Sequence, residues 1–226
     1  MSQKDKLIKM KNSSILKINE IFKSIQGEST YMGAPCIFIR LTYCNLRCSY
    51  CDTEYSFHEG KDMSIAEILD EIKPMRLKLV EVTGGEPMVQ KNVIPLMEGL
   101  LKNKYEVLLE TSGSISLKDV PNEVKKIVDF KCPSSNMSDK NLWSIVDELN
   151  TIDEIKFVIG DRGDYNWTKN KIEKYNLSKH WTVLISPVFD KITLDKLAEW
   201  ILEDNLDVRL QLQMHKYIWN PDMRAV

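Results

Sequence analysis

Short β-branched and apolar runs alternate with segments of helical period along most of this chain, and this alternation restricts its possible folds. The strand candidates lie at residues 36–41, 77–83, 105–111, 126–131, 154–159, 182–186 and 207–213. Helical segments fill most of the gaps, and the first begins with a capping box, Ser64 and Glu67. This order of elements predicts a mainly parallel sheet with right-handed crossovers.

The number of candidate strands is smaller than a complete β/α barrel requires. We therefore predict an α/β fold with a mostly parallel sheet, arranged as a partial, open β/α barrel. A doubly wound open sheet is the alternative. In both architectures ligands bind at the C-terminal ends of the strands.

Composition and charge exclude several classes of protein. The chain has 226 residues, 43% of them hydrophobic, which is enough for one large domain. A net charge of −2 provides no overall field for nucleic acid or an anionic membrane, so we predict neither as a partner. No apolar run is long enough to cross a bilayer, and residues 1–12 lack the apolar core of a secretory signal.

Five cysteines, an odd number in a chain without secretory features, do not favour a disulfide framework. A reduced compartment fits better, and we predict a cytoplasmic protein. Residues 1–13 are polar and are expected to form a loose N-terminal extension, while residues 14–226 are expected to form a single domain.

Three of the cysteines, Cys44, Cys48 and Cys51, form a C-x3-C-x2-C pattern directly after the strand candidate 36–41. Three thiolates do not complete a tetrahedral zinc site, and a fourth ligand would have to be Cys36 or Cys132. Cys36 has the sequence context of a buried small residue, and the position of Cys132 in the sequence leaves its distance open. A structural zinc site and an iron–sulfur cluster with one iron free of protein ligands both remain possible.

A second motif, "VTGGEP", ends the next strand candidate. Gly84 and Gly85 allow a ligand to approach the backbone closely, and Glu86 offers an acceptor for an ammonium group. A simple strand-ending turn would also favour these residues.

Together, in this order and on successive strand ends, the two motifs resemble the radical S-adenosylmethionine superfamily. The resemblance implies a [4Fe-4S] cluster on Cys44, Cys48 and Cys51, with S-adenosylmethionine on the open iron as the source of a 5′-deoxyadenosyl radical. It further implies that the single domain is a catalytic domain of this type. The residues implied to contact S-adenosylmethionine are Tyr50, Asp52, Gly84, Gly85, Glu86, Ser112, Asp129, Lys131 and Ser134.

Further segments resemble one family of that superfamily, the 7-carboxy-7-deazaguanine synthases: "SIQGEST", "FIRL", "CNLRCSYCDT", "VTGGEP", "LETSG" and "QMHKYIW". The resemblance runs from about residue 18 to the end of the sequence. It implies a lyase that converts 6-carboxy-5,6,7,8-tetrahydropterin to 7-carboxy-7-deazaguanine with release of ammonia, a step in queuosine biosynthesis. It also implies Mg²⁺, a homodimer and an external electron donor of the flavodoxin or ferredoxin type.

The same resemblance assigns Thr53 to Mg²⁺, a cation that prefers oxygen ligands. The residues it assigns to the pterin substrate are Ile25, Gln26, Gly27, Glu28, Arg40, Thr83 and His215. Several have ordinary alternatives: Thr53 in an Asp-Thr turn, Glu28 as a surface charge, and Arg40 in a structural pair with a carboxylate. The sequence departs from the family pattern at Ser29 and Tyr43, where glycine is usual.

Two other functions compete with this hypothesis. One is a radical activase that abstracts hydrogen from a glycyl-radical enzyme, which would not need the segments at 24–28 and 213–219. The other is a zinc-stabilised binding module without catalytic activity.

Overall fold

A computed structural model describes residues 14–226 as a nine-stranded sheet in the order β3-β1-β2-β4-β5-β6-β7-β8-β9. The predicted extension at residues 1–13 lies outside the described residues. The strands are β1 Ile15–Ile25, β2 Pro35–Leu41, β3 Lys61–Ser64, β4 Leu79–Gly84, β5 Glu106–Thr111, β6 Lys125–Asp129, β7 Glu154–Ile159, β8 Thr182–Pro187 and β9 Arg209–Leu210. Along the part of the sheet with the order β2-β4-β5-β6-β7-β8-β9, each pair of neighbouring strands is parallel. Strand β1 is antiparallel to both of its neighbours, β2 and β3.

The α-helices are α1 Ile65–Ile72, α2 Val93–Lys102, α3 Arg162–Tyr175, α4 Leu177–His180, α5 Leu194–Glu203 and α6 His215–Ile218. The capping box at the start of α1 is confirmed, because the Ser64 hydroxyl accepts from the Glu67 amide and Glu67 accepts in return from the Ser64 amide. Within residues 14–226, every helix is too short or too polar to cross a membrane.

The two faces of the sheet have different partners. Along β2, Ile37, Ile39 and Leu41 belong to the large core that includes residues of α1, α2, α3 and α5. The opposite face carries a smaller apolar cluster that contains no helical residue: Phe22, Cys36, Phe38, Leu79, Leu108 and Ile127. The amide of Thr30, between β1 and β2, donates to Glu154 on β7 at 3.2 Å, so the sheet curves around this helix-free interior. The predicted open, mostly parallel α/β fold is confirmed.

Above that apolar cluster, the interior face becomes charged toward the C-terminal strand ends. Side chains alternate between the two faces of a strand, so the residue two positions beyond an interior apolar residue also faces inward. This rule places Arg40 beyond Phe38, Glu81 beyond Leu79, Glu110 beyond Leu108 and Asp129 beyond Ile127. The interior therefore has an apolar lower layer and a charged upper layer.

Several predicted elements differ in the structure. Strands β1 and β3 were not predicted, and the strand expected at 207–213 is reduced to Arg209–Leu210. The gap between β6 and β7, one of those where a helical segment is expected, holds instead the 3-10 segments Pro133–Ser135, Ser138–Lys140 and Trp143–Glu148. Strand β1 lacks a regular alternation in the sequence, because its polar residues fall at positions 17, 19, 20, 23 and 24, and an irregularity between Ile18 and Glu20 shifts its register.

Candidate active site

The cysteine loop begins where β2 ends and is anchored by backbone hydrogen bonds. The Tyr43 amide donates to the Ser56 carbonyl at 3.0 Å, and the Glu86 amide donates to the Tyr43 carbonyl at 2.8 Å. Tyr43 adopts φ = 80°, in the left-handed region where glycine is favoured. The family's usual glycine thus has a physical reason, and this chain accepts the same turn with a tyrosine.

The five cysteines fall into two environments. Cys44, Cys48 and Cys51 are partly exposed on the loop, whereas Cys36 and Cys132 are fully buried. Cys36 lies in the apolar lower layer of the interior, and Cys132 contacts the Thr168 hydroxyl at 3.4 Å. Burial raises the pKa of both of these thiols. The loop cysteines are therefore the three that an incoming cluster can reach.

Two of the loop thiols, those of Cys44 and Cys48, have a raised pKa in the absence of metal. Burial raises the pKa of Cys44 and raises that of Cys48 to about 11, although the nearby Lys131 opposes both shifts. Metal ligation requires the thiolate, so binding would release the thiol protons. Ligation thus replaces a protonated, partly buried thiol by a metal-bound thiolate.

No three His, Cys, Asp or Glu side chains within residues 14–226 form a group able to hold a single metal ion. A zinc site needs its thiolates to converge on one ion at about 2.3 Å. An iron–sulfur cube instead takes each cysteine on a different iron. The three loop cysteines match the number of irons that such a cube attaches to the protein when one iron stays open.

The glycines of the second motif bring the end of β4 directly against the cysteine loop. A Cβ atom added at Gly85 would lie 2.7 Å from Cys44 Cβ and closer still to the Tyr43 carbonyl oxygen. The Gly85 amide donates to the Leu41 carbonyl at 3.3 Å. Gly84, at φ = 146°, adopts a backbone conformation that side chains rarely allow. These contacts explain why the two motifs occur together.

Glu86 is fully buried and joins the ends of β4 and β5. Its carboxylate accepts from the Thr111 hydroxyl at 2.9 Å, from the Ser112 amide at 2.7 Å and from the Ser112 hydroxyl at 2.6 Å. It also accepts from the Met88 amide at 3.0 Å. Glu86 therefore organises the strand ends whether or not a ligand is bound, and its predicted contact with S-adenosylmethionine stays a prediction.

Asp129 and Lys131 lie at the end of β6, close to the cysteine loop. Lys131 Nζ is 3.0 Å from Asp129 Oδ2, while Asp129 Oδ1 is buried without a hydrogen-bond partner among the described residues. Burial alone would lower the pKa of Lys131, but Asp129 and Cys48 outweigh it and the net pKa is raised. The buried oxygen is an acceptor for a ligand, and the lysine is a fixed positive charge beside the loop.

The other residues predicted for S-adenosylmethionine surround the same strand ends. The Tyr50 hydroxyl donates to the Val158 carbonyl at 3.3 Å, and the Ser134 amide donates to Asp164 at 2.9 Å. The Ser49 hydroxyl reaches the Ser134 carbonyl at 2.6 Å, which ties this segment to the cysteine loop. Asp52 is exposed and pairs with Lys216 at 2.8 Å.

The loop between β1 and β2 carries the residues predicted for the substrate. Gln26 is 3% exposed and Glu28 is 9% exposed, so Glu28 is not a surface charge. The Gln26 side chain donates to Glu81 and accepts from the Glu28 amide at 3.2 Å. Burial, followed by the charge of Glu110, raises the pKa of Glu81 well above its ordinary value. Ile25 is the last residue of β1.

Residues 211–218 connect β9 back to this loop across the open side of the sheet. The Met214 amide donates to the Gly27 carbonyl at 3.0 Å, and the Gln213 side chain donates to Glu28 at 2.9 Å. A side chain at Gly27 would overlap the ring of His215. Burial lowers the pKa of His215, although Glu28 opposes this, so the imidazole is neutral at pH 7. The structure thus brings Gln26, Gly27, Glu28 and His215 together, as the resemblance implied.

Arg40 and Thr83 are neighbours in the register of β2 and β4. Arg40 Nε pairs with Glu20 at 2.7 Å, so the structural pair considered for it is present. The described residues give its Nη atoms no hydrogen-bond acceptor. Thr53 precedes the 3-10 segment Glu54–Phe57, with its hydroxyl 3.8 Å from Cys51 Sγ. Both residues keep groups available for a ligand.

The sequence interpretation missed several polar residues of the interior: the buried Glu81, Lys156 and Gln211, and the half-buried Glu110 and Gln213. One signal was available for Lys156, which stands in the apolar run "EIKFVI" much as Arg40 stands in "IFIRL". A charge inside a buried strand must find a partner. The two glutamines lie in the predicted strand at 207–213, where the structure has mostly irregular backbone.

Comparisons with known proteins agree with this site. The model of the Radical SAM superfamily matches residues 38–202. The 7-carboxy-7-deazaguanine synthase of Koribacter versatilis is 46% identical, with 93% of this chain and 100% of the relative covered. That of Chlorobaculum tepidum is 41% identical, with 96% and 100% covered.

Solved structures show the same fold. QueE from Escherichia coli matches with a TM-score of 0.77 at 24% identity, over 92% of this chain and 98% of that chain. SuiB from Streptococcus suis, bound to its precursor peptide SuiA, matches with a TM-score of 0.56 at 12% identity. The latter match covers 76% of this chain and 46% of that chain.

These matches favour the 7-carboxy-7-deazaguanine synthase family over both the glycyl-radical activase and the zinc-stabilised binding module. The superfamily implies a [4Fe-4S] cluster and S-adenosylmethionine, and the three accessible thiols beside Gly85 fit such a group. This chain is therefore a radical S-adenosylmethionine enzyme that belongs to the 7-carboxy-7-deazaguanine synthase family.

Proposed function

We propose that this enzyme converts 6-carboxy-5,6,7,8-tetrahydropterin to 7-carboxy-7-deazaguanine and ammonia. The observation that carries the proposal is the position of the cysteine loop at the mouth of an interior lined by buried carboxyl groups, among them those of Glu28, Glu81 and Asp129. A flat ring with several donors and acceptors suits such an interior, because each buried polar group then gains a partner. The relatives' shared name supports the same substrate.

Cys44, Cys48 and Cys51 would hold three irons of the cluster, and the segment Gly84–Glu86 with Asp129 would bind S-adenosylmethionine. Tyr50, Asp52, Ser112, Lys131 and Ser134 would complete that cofactor site. When bound, the two groups supply a carbon radical that abstracts hydrogen from the substrate and later returns it. The protein's contribution is to orient the substrate and to exclude water from the radical.

The remaining residues would bind the pterin. Gln26, Glu28 and the backbone of Ile25 and Gly27 present acceptors and donors for its heteroatom edge, and neutral His215 adds another hydrogen-bonding group. The Nη atoms of Arg40 suit the substrate carboxylate, with Thr83 alongside. The product has the atomic composition of the substrate minus one molecule of ammonia, so the overall reaction consumes no oxidant.

Several properties of the family extend this proposal. The enzyme would act as a homodimer in the cytoplasm and would receive electrons from a flavodoxin- or ferredoxin-type protein. The cysteine loop, where electrons must arrive, is partly exposed, which supports delivery by an external carrier. Residues 14–226 would form the single catalytic domain.

The proposal is tested by the product. Anaerobically reconstituted enzyme with S-adenosylmethionine, Mg²⁺, dithionite and carboxytetrahydropterin is expected to form 7-carboxy-7-deazaguanine and ammonia in equal amounts, measured by mass spectrometry and an ammonia assay. A glycyl-radical protein serves as the alternative substrate. Formation of 5′-deoxyadenosine without any deazaguanine would reject the assigned reaction while retaining the radical chemistry.

A second test concerns Mg²⁺, which we propose binds the hydroxyl of Thr53. Thr53→Ala removes that oxygen ligand and is expected to raise the Mg²⁺ concentration needed for half-maximal activity by about tenfold, in keeping with the loss of one ligand interaction. Thr53→Ser keeps the hydroxyl and is the matched control. An unchanged Mg²⁺ requirement in Thr53→Ala would show that the cation binds elsewhere.

A further inference from the structure

The interior contains a buried cation that the proposed function has not used. Lys156 lies on β7 between Ile155 and Phe157, which belong to the helix-packed core, so its own side chain points inward. That side chain is 5% exposed. A buried ammonium group is costly unless carboxylates surround it.

Three carboxylates surround Lys156, each from a different part of the fold. Its Nζ donates to Glu28 in the β1–β2 loop and to Glu110 on β5 at 2.8 Å, and it lies 3.6 Å from Asp129 on β6. Burial alone would lower the pKa of Lys156, but Glu110, Glu28 and Asp129 outweigh it and raise the pKa well above the ordinary value. The lysine is therefore charged inside the fold.

The partners of these carboxylates differ. Asp129 has Lys131 as a second cation, at 3.0 Å. Within residues 14–226, the other groups that donate to Glu28 are neutral amides, from Gln213 at 2.9 Å and from Gln211 at 3.5 Å. The described residues give Glu110 no partner other than Lys156. Lys156 is thus the cation on which both glutamates depend.

We propose that Lys156 is a positioning residue for substrate binding: its ammonium group holds Glu28 and Glu110 in one ionised arrangement facing the pterin. The inference rests on the proposed function, because Glu28 is assigned there to the substrate. Without the cation, the two neighbouring carboxylates would repel each other. Glu28 would then lose its fixed position.

The test measures binding rather than turnover. Anaerobic equilibrium dialysis with carboxytetrahydropterin gives the Kd of reconstituted enzyme. Lys156→Met is expected to raise this Kd by roughly 10- to 100-fold, because removal of one partner leaves the other charges buried and unpaired. Iron content should remain close to wild type.

Two further variants separate charge from shape. Lys156→Gln keeps a hydrogen-bond donor and loses only the charge, so it provides the same test if the methionine variant does not fold. Lys156→Met combined with Glu110→Gln removes one of the two repelling carboxylates. The double variant should recover about half of the binding free energy that Lys156→Met loses, because the effects of directly coupled residues do not add.

Lys126 supplies the matched control. It is a fully buried lysine on the adjacent strand β6 and pairs with Asp153 at 3.0 Å, but on the helix-facing side. Lys126→Met is expected to lower the Tm without changing the Kd for the pterin. If Lys156→Met or Lys156→Gln binds the pterin as wild type does, the positioning role is overturned. Wild-type enzyme that does not bind the pterin at all would overturn the proposed substrate as well.

Discussion

Replacement of Cys48 by alanine is expected to abolish cluster binding, so that iron falls from about four atoms per chain to nearly none after anaerobic reconstitution. Cys48 belongs to the accessible set of thiols, and no other loop thiol can replace it. Because the radical originates at the cluster, formation of 5′-deoxyadenosine should disappear as well. Iron and sulfide analysis, together with the visible absorption spectrum, measures the result.

Cys36→Ala is the control for this experiment. Cys36 is fully buried in the apolar lower layer, where alanine keeps an apolar side chain, so iron and sulfide should stay at wild-type amounts. The stability cost should be small, on the order of 1 kcal/mol for the lost sulfur packing. Iron that persists in Cys48→Ala, or that is lost in Cys36→Ala, would show that the ligand set is wrong.

Replacement of Gly85 by alanine is expected to reduce 5′-deoxyadenosine formation by roughly 100-fold, since a displacement of about 1 Å can cost that much in rate. The added Cβ would meet Cys44 Cβ at 2.7 Å and the Tyr43 carbonyl oxygen at a shorter distance still. The Tyr43 carbonyl oxygen is a backbone atom and Cys44 Cβ is bonded directly to the backbone, so neither atom can rotate away from the added Cβ. The cysteine loop must move, and its position relative to the end of β4 changes.

Gly99→Ala provides a matched glycine substitution elsewhere. Gly99 lies in α2, and its added Cβ would meet Ile65 Cγ2 at 3.4 Å and Leu69 Cδ1 at 3.7 Å, both ordinary van der Waals distances. Alanine favours a helix by about 1 kcal/mol over glycine, so this variant should be as stable as wild type or more so. Full activity in Gly85→Ala would show that the two motifs need not touch for the radical to form.

The parallel part of the fold was predictable because its strands are buried on both faces. Runs such as "EIKFVI" and "TVLIS" have few polar residues, and each became a strand within one or two residues of the predicted bounds. Strand β1 was not predictable in this way, because Lys17, Asn19 and Glu20 interrupt its apolar residues. Its pairing with β2 and β3, rather than its own sequence, makes it a strand.

The site was predictable where a motif is local and not where partners are distant in sequence. The cysteine spacing and "VTGGEP" are compact patterns, and the structure places them in contact. The ion pair of Lys156 with Glu28 joins residues separated by 128 positions, and no local pattern announces it. The glutamines that donate to Glu28 lay in a segment predicted as regular strand, where their contacts could not be anticipated.

The hydrogen bond between Gln213 and Glu28 spans 185 positions of sequence, whereas the contacts of the cysteine loop with Gly85 arise within the first half of the chain. Joining remote segments carries a larger entropic penalty than joining near ones. The cavity for the organic substrate therefore depends on the chain closure with the larger entropic cost.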